Sequence, residues 1–290
     1  MTPKKLRFTT LDGLLVALFL GVAGFFVYRI GVEMQYRWQW PLLLQYLVRT
    51  DGDHWLAGPL ARGFLTTVKL SLWAMFLATL LGTLMGLLRV SRGLFRRLVP
   101  FGYVELVRNL PPLVLVFIVY FFIGERIMAL LGVEQLVRTA SPEVQGLLGF
   151  LFAPPARLSG FLAGLATLVL YEGAYIAEIV RAGIQSIEKG QWEAAHALGL
   201  SYRQQLRFVI APQAFRRILP SLAGQLISTI KDSAIVSVIS IPELTFQGLE
   251  IMSATYLTFE TWITITALYF LLTFACSLGV RHLENALRPG

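Results

Sequence analysis

Six runs of about 20 apolar residues punctuate the chain, at residues 14–32, 63–90, 113–131, 158–183, 218–239 and 257–280. Each is long enough to cross a bilayer. Lipid offers backbone groups no outside partner, so spanning runs of this length predict helices. The pattern therefore predicts an all-α, polytopic helical membrane protein with about six transmembrane helices. The fifth run is interrupted by Lys231-Asp232. The second carries Gly82 and Gly86 four residues apart, the spacing of close helix approach. The first run follows Lys4, Lys5 and Arg7. It is too long for a signal-peptide core, and no small-x-small cleavage site precedes Tyr28-Arg29, so it is expected to remain as an anchor. Residues 33–58 form a polar connection with Trp38, Trp40 and Trp55, the residue type selected at a membrane interface.

Composition strengthens the membrane reading: 56% of residues are hydrophobic and only 14% charged, far from an ordinary soluble domain. The net charge of +8 would by itself invite nucleic acid, but its distribution does not. With the N-terminus inside, the inner segments hold 16 Lys/Arg and the outer segments 7, with Lys69 and Lys231 inside spans. That bias predicts both termini in the cytoplasm and no nucleic-acid partner. The single Cys276 lies in the last run, where it reads as a packing residue. His54, His196 and His282 fall in separate polar segments with no metal-ligand spacing. No catalytic constellation and no G-xxxx-GK-[ST] phosphate cradle is evident, so energy for any active transport must come from another chain or an ion gradient.

Between the fourth and fifth runs, Gln191-Trp192-Glu193-Ala194-Ala195-His196-Ala197-Leu198-Gly199 is too polar to span. Gly190 can open a short helix and Gly199 can close it in the left-handed conformation. Ser201 with Gln204 three residues on is a capping-box pattern that starts a second helix. Trp192, Ala195, His196 and Gly199 share one face. The stretch is either a rigid docking lug or an ordinary helical surface loop.

Glu193-Ala194-Ala195, then Gly199, then Ile218-Leu219-Pro220 resembles the EAA loop of permease subunits in binding-protein-dependent ABC importers. The flanks resemble the polar amino acid branch: residues 174–184 (AYIAEIVRAGI), Lys189-Gly190-Gln191, and Ile230-Lys231-Asp232-Ser233. Residues 107–112 (VRNLPP) resemble that family's R-G-T-P-like entry, with Asn109 and Leu110 departing from it. The resemblance runs from about Gly63 to about Leu287. It implies a permease domain over residues 61–287, comprising a five-helix core, behind an N-terminal anchor and extracytoplasmic loop over 1–60. It also implies a cytoplasmic coupling helix in which Trp192, Glu193, Ala194, Ala195, Leu198 and Gly199 engage an ATPase. The implied partners are a cytoplasmic ABC ATPase dimer, a second permease subunit, identical or homologous, and an extracytoplasmic solute-binding protein. The implied solute is a polar amino acid. The chain itself would hold no cofactor, ATP being bound by the ATPase.

Charged residues inside spans are costly and mark aqueous paths or internal pairs. Glu178 is expected to pair with Arg181 or Arg217. Glu172, nearer mid-span and without a local partner, is the better candidate for the substrate path. Lys231 and Asp232 are either a solute contact or an internal ion pair. Lys69 is expected to snorkel outward. Two rival classes remain: an ion-coupled secondary transporter using Glu172, Lys231 and Asp232, and a membrane scaffold without transport. Neither needs the lug.

Overall fold

The computed structural model describes residues 9–33, 36–51, 54–91 and 93–287. Lys4, Lys5, Arg7, Arg92, Arg288 and the turn at Gly52-Asp53 lie outside the described residues. The first long helix is α1 (Thr10–Glu33), and a short α2 (Trp40–Leu47) follows. Residues expected to form a plain connection also hold a two-stranded antiparallel ribbon, β1 (Val48–Asp51) with β2 (His54–Ala57), in which Val48 faces Ala57. Next come α3 (Pro59–Arg89) and α4 (Leu94–Asn109). The third span is α5 (Pro112–Ile118), a π-helical turn (Val119–Gly124) and α6 (Glu125–Leu130). A hairpin of α7 (Val133–Thr139) and α8 (Pro142–Leu151) leads into α9 (Leu158–Gln185). Then follow α10 (Lys189–Ala197), α11 (Tyr202–Gln204), α12 (Ala211–Asp232), α13 (Leu244–Thr255) and α14 (Thr258–Leu287). Among the described residues, six helices are long and apolar enough to cross a membrane.

Helix α9 is the axis. Two-thirds of its span (67%) is buried, against 6% for α14 and none for α1, so the other spans are arranged around it. Its main neighbour is α3, and glycine explains the fit. A Cβ on Gly82 would lie 2.6 Å from the Ile176 side chain and 2.8 Å from the Gly173 carbonyl; one on Gly86 would lie 2.8 Å from the Ala177 carbonyl. Only glycine lets the backbones come this close, and in lipid such van der Waals contact must do what hydrophobic burial does in water. Here the spacing of Gly82 and Gly86 has a packing consequence.

Polar residues tie the remaining elements to this pair. Glu243, fully buried, caps α13 by accepting from the Phe246 and Thr245 amides at 2.7 and 2.9 Å. It also accepts from the Tyr269 hydroxyl at 2.8 Å and the Thr67 hydroxyl at 3.3 Å, joining α3, α13 and α14. Burial pushes its carboxyl pKa up, and these donors oppose that rise. Glu260 clips the segment before α2 onto α14, accepting from the Gln39 amide at 2.7 Å and from the Tyr36 hydroxyl. Burial, then the bond to Glu260, pushes the Tyr36 phenol up to about 12.

Lys69 does not reach for solvent. Its Nζ donates to the Gly149 carbonyl at 3.0 Å, and Trp73 Nε1 donates to the Leu151 carbonyl at 3.1 Å. Both acceptors are in the last turn of α8, where carbonyls lack helical partners and a cation is favoured. The physical reason for the difference from the sequence expectation is this docked hairpin, which supplies an acceptor nearer than water.

Leucine at position 82 should wedge α3 from α9. Gly82→Leu is expected to lower stability by about 1–3 kcal/mol, the cost of overpacking. Thermal unfolding in detergent checks it, with Leu80→Val on the exposed side of α3 as the unaffected control.

Candidate functional site

The stretch after the fourth span folds as a short, firmly seated helix. Helix α10 starts after Glu188, whose backbone is extended, so Gly190 sits in the first turn instead of preceding the helix. Its end is as expected. Gly199 has φ +75°, its amide donates to the His196 carbonyl at 2.9 Å, and the Leu200 amide donates to Ala195 at 3.3 Å. These two bonds are a Schellman termination, which needs the left-handed residue that glycine supplies. The next helix starts with the predicted capping box, the Ser201 amide donating to Gln204 Oε1 at 2.8 Å.

Several contacts bolt α10 to the bundle. The Trp192 ring stacks on Tyr202 (centroids 5.9 Å apart, planes 18° apart) and packs on the cluster containing Ile184 and Ile187. The Tyr202 hydroxyl donates to the Val90 carbonyl at 2.8 Å, at the end of α3. Gln205 Nε2 donates to the Leu200 carbonyl at 2.6 Å, and Gln213 Nε2 to Gln191 Oε1 at 3.0 Å. Arg217 donates to the Ser186 carbonyl, not to Glu178. Ala195 is buried, whereas Glu193, Ala194, Leu198 and Gly199 are exposed. The sequence reading of Trp192 as an outward anchor thus changes. Trp192 braces the helix from beneath, and Leu198, 78% exposed, is the apolar group that faces out.

A second polar constellation lies in the span core. Glu172 on α9 is fully buried; its Oε2 accepts from Gln225 Nε2 on α12 at 2.7 Å, and its Oε1 has no partner among the described residues. Thr229 is buried one turn beyond Gln225, and Asp232 is within electrostatic reach of Glu172. Gln225, Thr229 and Asp232 stand at i, i+4 and i+7, one face of α12 turned to Glu172. The sequence reading missed Gln225, although that spacing was available to find it. Lys231 points elsewhere: it is exposed, and no ion pair holds it among the described residues. Lys231 and Asp232 form no ion pair among the described residues, and Lys231 acts on Asp232 only as a neighbouring charge. Helix α12 ends at Asp232, and residues Ser233–Ile239 continue as a 3₁₀ helix, so the polar interruption coincides with a change of helical winding.

Glu178 pairs with Arg181, as expected, but also with Arg89 at 2.7 Å and Arg108 at 3.8 Å. Arg89 in turn lies 3.6 Å from Glu105. Arg108 belongs to the proline-rich entry, where α4 ends at Asn109 and α5 restarts at Pro112. This network locks α3, α4 and α9 together and leaves Glu178 no free role.

Residues 78–289 match the family described as the binding-protein-dependent transport system inner membrane component. The chain is 34% identical over 227 residues to a probable glutamine ABC transporter permease protein, GlnM, of Bacillus subtilis, covering 78% of this chain and 91% of that one. It is 31% identical over 258 residues to the glutamate/aspartate import permease protein GltJ of Escherichia coli, covering 89% and 98%. Among solved structures, an amino acid ABC transporter crystallised with histidines superposes with a TM-score of 0.66 at 32% identity, covering 87% of this chain and all of the other. An inward-facing MetNI methionine ABC transporter superposes at 0.60 with 19% identity, a likeness of fold (80% of this chain, 97% of the other). The chain belongs to the inner-membrane permease components of binding-protein-dependent transport systems.

Replacing Gly199 tests whether the Schellman termination fixes the lug. Gly199→Val is expected to cost about 1–2 kcal/mol locally, which is roughly five- to thirtyfold faster amide exchange across residues 189–200. Hydrogen exchange read by mass spectrometry checks it, with α9 unchanged.

Proposed function

We propose that this family member forms the solute path of an ATP-driven importer for polar amino acids, within the permease unit over residues 61–287. Two permease subunits, identical or homologous, would enclose the path. An extracytoplasmic binding protein would deliver the solute, and a cytoplasmic ABC ATPase dimer would grip the helix at 191–199. Both termini lie in the cytoplasm in this reading, as the 16-to-7 bias of basic residues favours. The amino acid assignment is supported by the relatives, which are named for glutamine and for glutamate/aspartate.

The single observation that carries the reading is the short, firmly seated helix α10 between the fourth and fifth spans. It is nine residues long, rigidly terminated, seated on Tyr202 and the end of α3, and it exposes Glu193 and Leu198. Closure of the ATPase would push such an element as a rigid body and rock the spans. Lacking a loose hinge, the lug would pass displacement to α9 and α3 without absorbing it. On the solute side, Glu172 is buried with one hydrogen bond from Gln225, one oxygen outside hydrogen-bond geometry, and Thr229 and Asp232 beside it, a costly polar cluster of the kind that lines solute paths. We assign Glu172, Gln225 and Asp232 to the path, and we place Lys231 at its margin.

Glu193→Lys is expected to abolish co-purification of the ATPase while membrane insertion and the thermal unfolding midpoint stay unchanged; undiminished co-purification removes the coupling role. Glu172→Gln is expected to change solute rate or preference at least about tenfold, the effect of altering one charged contact. Transport by reconstituted vesicles with a panel of neutral, acidic and basic amino acids measures it, and wild-type kinetics would make Glu172 structural.

A further inference from the structure

On the face that carries α10, helix α4 lies across the ends of α3 and α9: Phe101 packs under Arg89, and the Tyr103 hydroxyl donates to the Leu170 carbonyl at 2.6 Å. Its outward side is apolar, with Leu94, Phe95, Leu98 and Val99 all at least half exposed, and it carries Arg96 and Arg97. An amphipathic helix with exposed Leu and Phe and interleaved arginines is built for a membrane interface.

Between α4 and the ends of α3 and α9 opens a cleft of about 350 Å³. One wall is apolar, made by Leu94, Leu98 and Phe101; the other is polar, made by Arg89, Arg97 and Arg181. A second cleft of about 320 Å³ shares Arg89 and Arg97 and continues to Lys189 and Trp192. The charges do not balance. Arg89, Arg108 and Arg181 share Glu178, with Glu105 beside Arg89, while Arg97 and Lys189 have no carboxylate partner among the described residues. Of the four cations that line the joined clefts, Arg89, Arg97, Arg181 and Lys189, two are thus left without a carboxylate partner among the described residues. Arginine's planar fork suits a phosphate group. A soluble anion would use the guanidiniums but not the wall of Leu94, Leu98 and Phe101, which is continuous with the lipid-type face of α4.

We infer that this cleft binds the headgroup of an anionic phospholipid, its phosphate held by Arg97 with Lys189 and Arg89, and its acyl chains lying along Leu94, Leu98 and Phe101. Basic pockets between spans at the cytoplasmic leaflet are where such headgroups are bound. The headgroup also forms the outer wall of the space beneath Trp192, so the lipid stiffens α10 against the bundle. That second consequence rests on the proposed coupling role; the binding itself does not.

The test uses the full chain, purified with its ATPase and equilibrated with phosphatidylglycerol or phosphatidylcholine. Native mass spectrometry reads lipid retention, and hydrolysis is measured in vesicles of each lipid. The wild type is expected to retain phosphatidylglycerol preferentially and to hydrolyse ATP faster in its presence. Arg97→Gln is expected to lower that retention about fivefold, the weight of one arginine at a charged surface, with hydrolysis in phosphatidylcholine unchanged. Arg97→Lys should restore most of the retention, which separates charge from folding. Equal retention by Arg97→Gln and wild type overturns the proposal, and so does displacement of the lipid by inorganic phosphate at millimolar concentration, which would mark a soluble-anion site. A chain that retains phosphatidylglycerol but recruits no ATPase leaves the lipid site standing and removes the coupling role alone.

Discussion

The contact of α3 with α9 through Gly82 and Gly86 is the constraint on which the rest of the bundle depends. Two parallel helices touch backbone to side-chain root, at distances no residue with a Cβ would permit. This close approach carries the end of α3 to the end of α9. There it brings Arg89 within 2.7 Å of Glu178 and the Val90 carbonyl within 2.8 Å of Tyr202. The lug follows α9 after three residues, so its seat is a consequence of that approach. Glu172, six residues before Glu178, is buried and bonded to Gln225 of α12.

The bundle supplies partners for several of its other charges in or beside the spans. Lys69 finds the last turn of α8, Glu178 finds three arginines, and Glu243, just outside a span, collects four donors. Against that pattern, Glu172 stands apart with one oxygen bonded to Gln225 and the other bare. Stability favours satisfying a buried carboxylate, and the fold shows it has the means to do so elsewhere. The contrast within one molecule is therefore more informative than burial of Glu172 alone. It separates Glu172, with one hydrogen bond, from Glu178 and Glu243, which tie several elements together.

Hydropathy made the six spans, the all-α class and the polar lug legible, because length and periodicity are local properties of the chain. Gly199 and the Ser201–Gln204 box were legible for the same reason: backbone handedness and capping are decided within a few residues. What was hidden depends on partners far apart in sequence. Nothing near Lys69 announces Gly149, and nothing near Trp192 says whether its ring turns outward or onto Tyr202. The ribbon of β1 and β2 was hidden because four-residue strands have too few positions to show alternation. Gln225 was a recoverable omission, since its spacing to Thr229 and Asp232 marks one helical face.

The two helices that enclose Glu172 differ in how they would respond to a push on the lug. Helix α9 is continuous over 28 residues up to the turn that precedes the lug, and its approach to α3 by way of glycine leaves little room to slide. Helix α12 gives up α-helical winding at Ser233, one residue after Asp232, and begins just after a π-helical turn at Gln205–Ile210. Irregular winding at both ends lets that helix rotate or lengthen with a smaller loss of hydrogen bonding than a regular helix would suffer. On the proposed coupling role, force arriving at α10 would hold α9 as the fixed reference and express itself in α12. The bond broken or strained first would then be Gln225 to Glu172, the link between the stiff helix and the compliant one. On that proposal, a stiff helix and one with irregular winding at both ends meet at the Gln225–Glu172 hydrogen bond, so a push on the lug would be felt at Glu172.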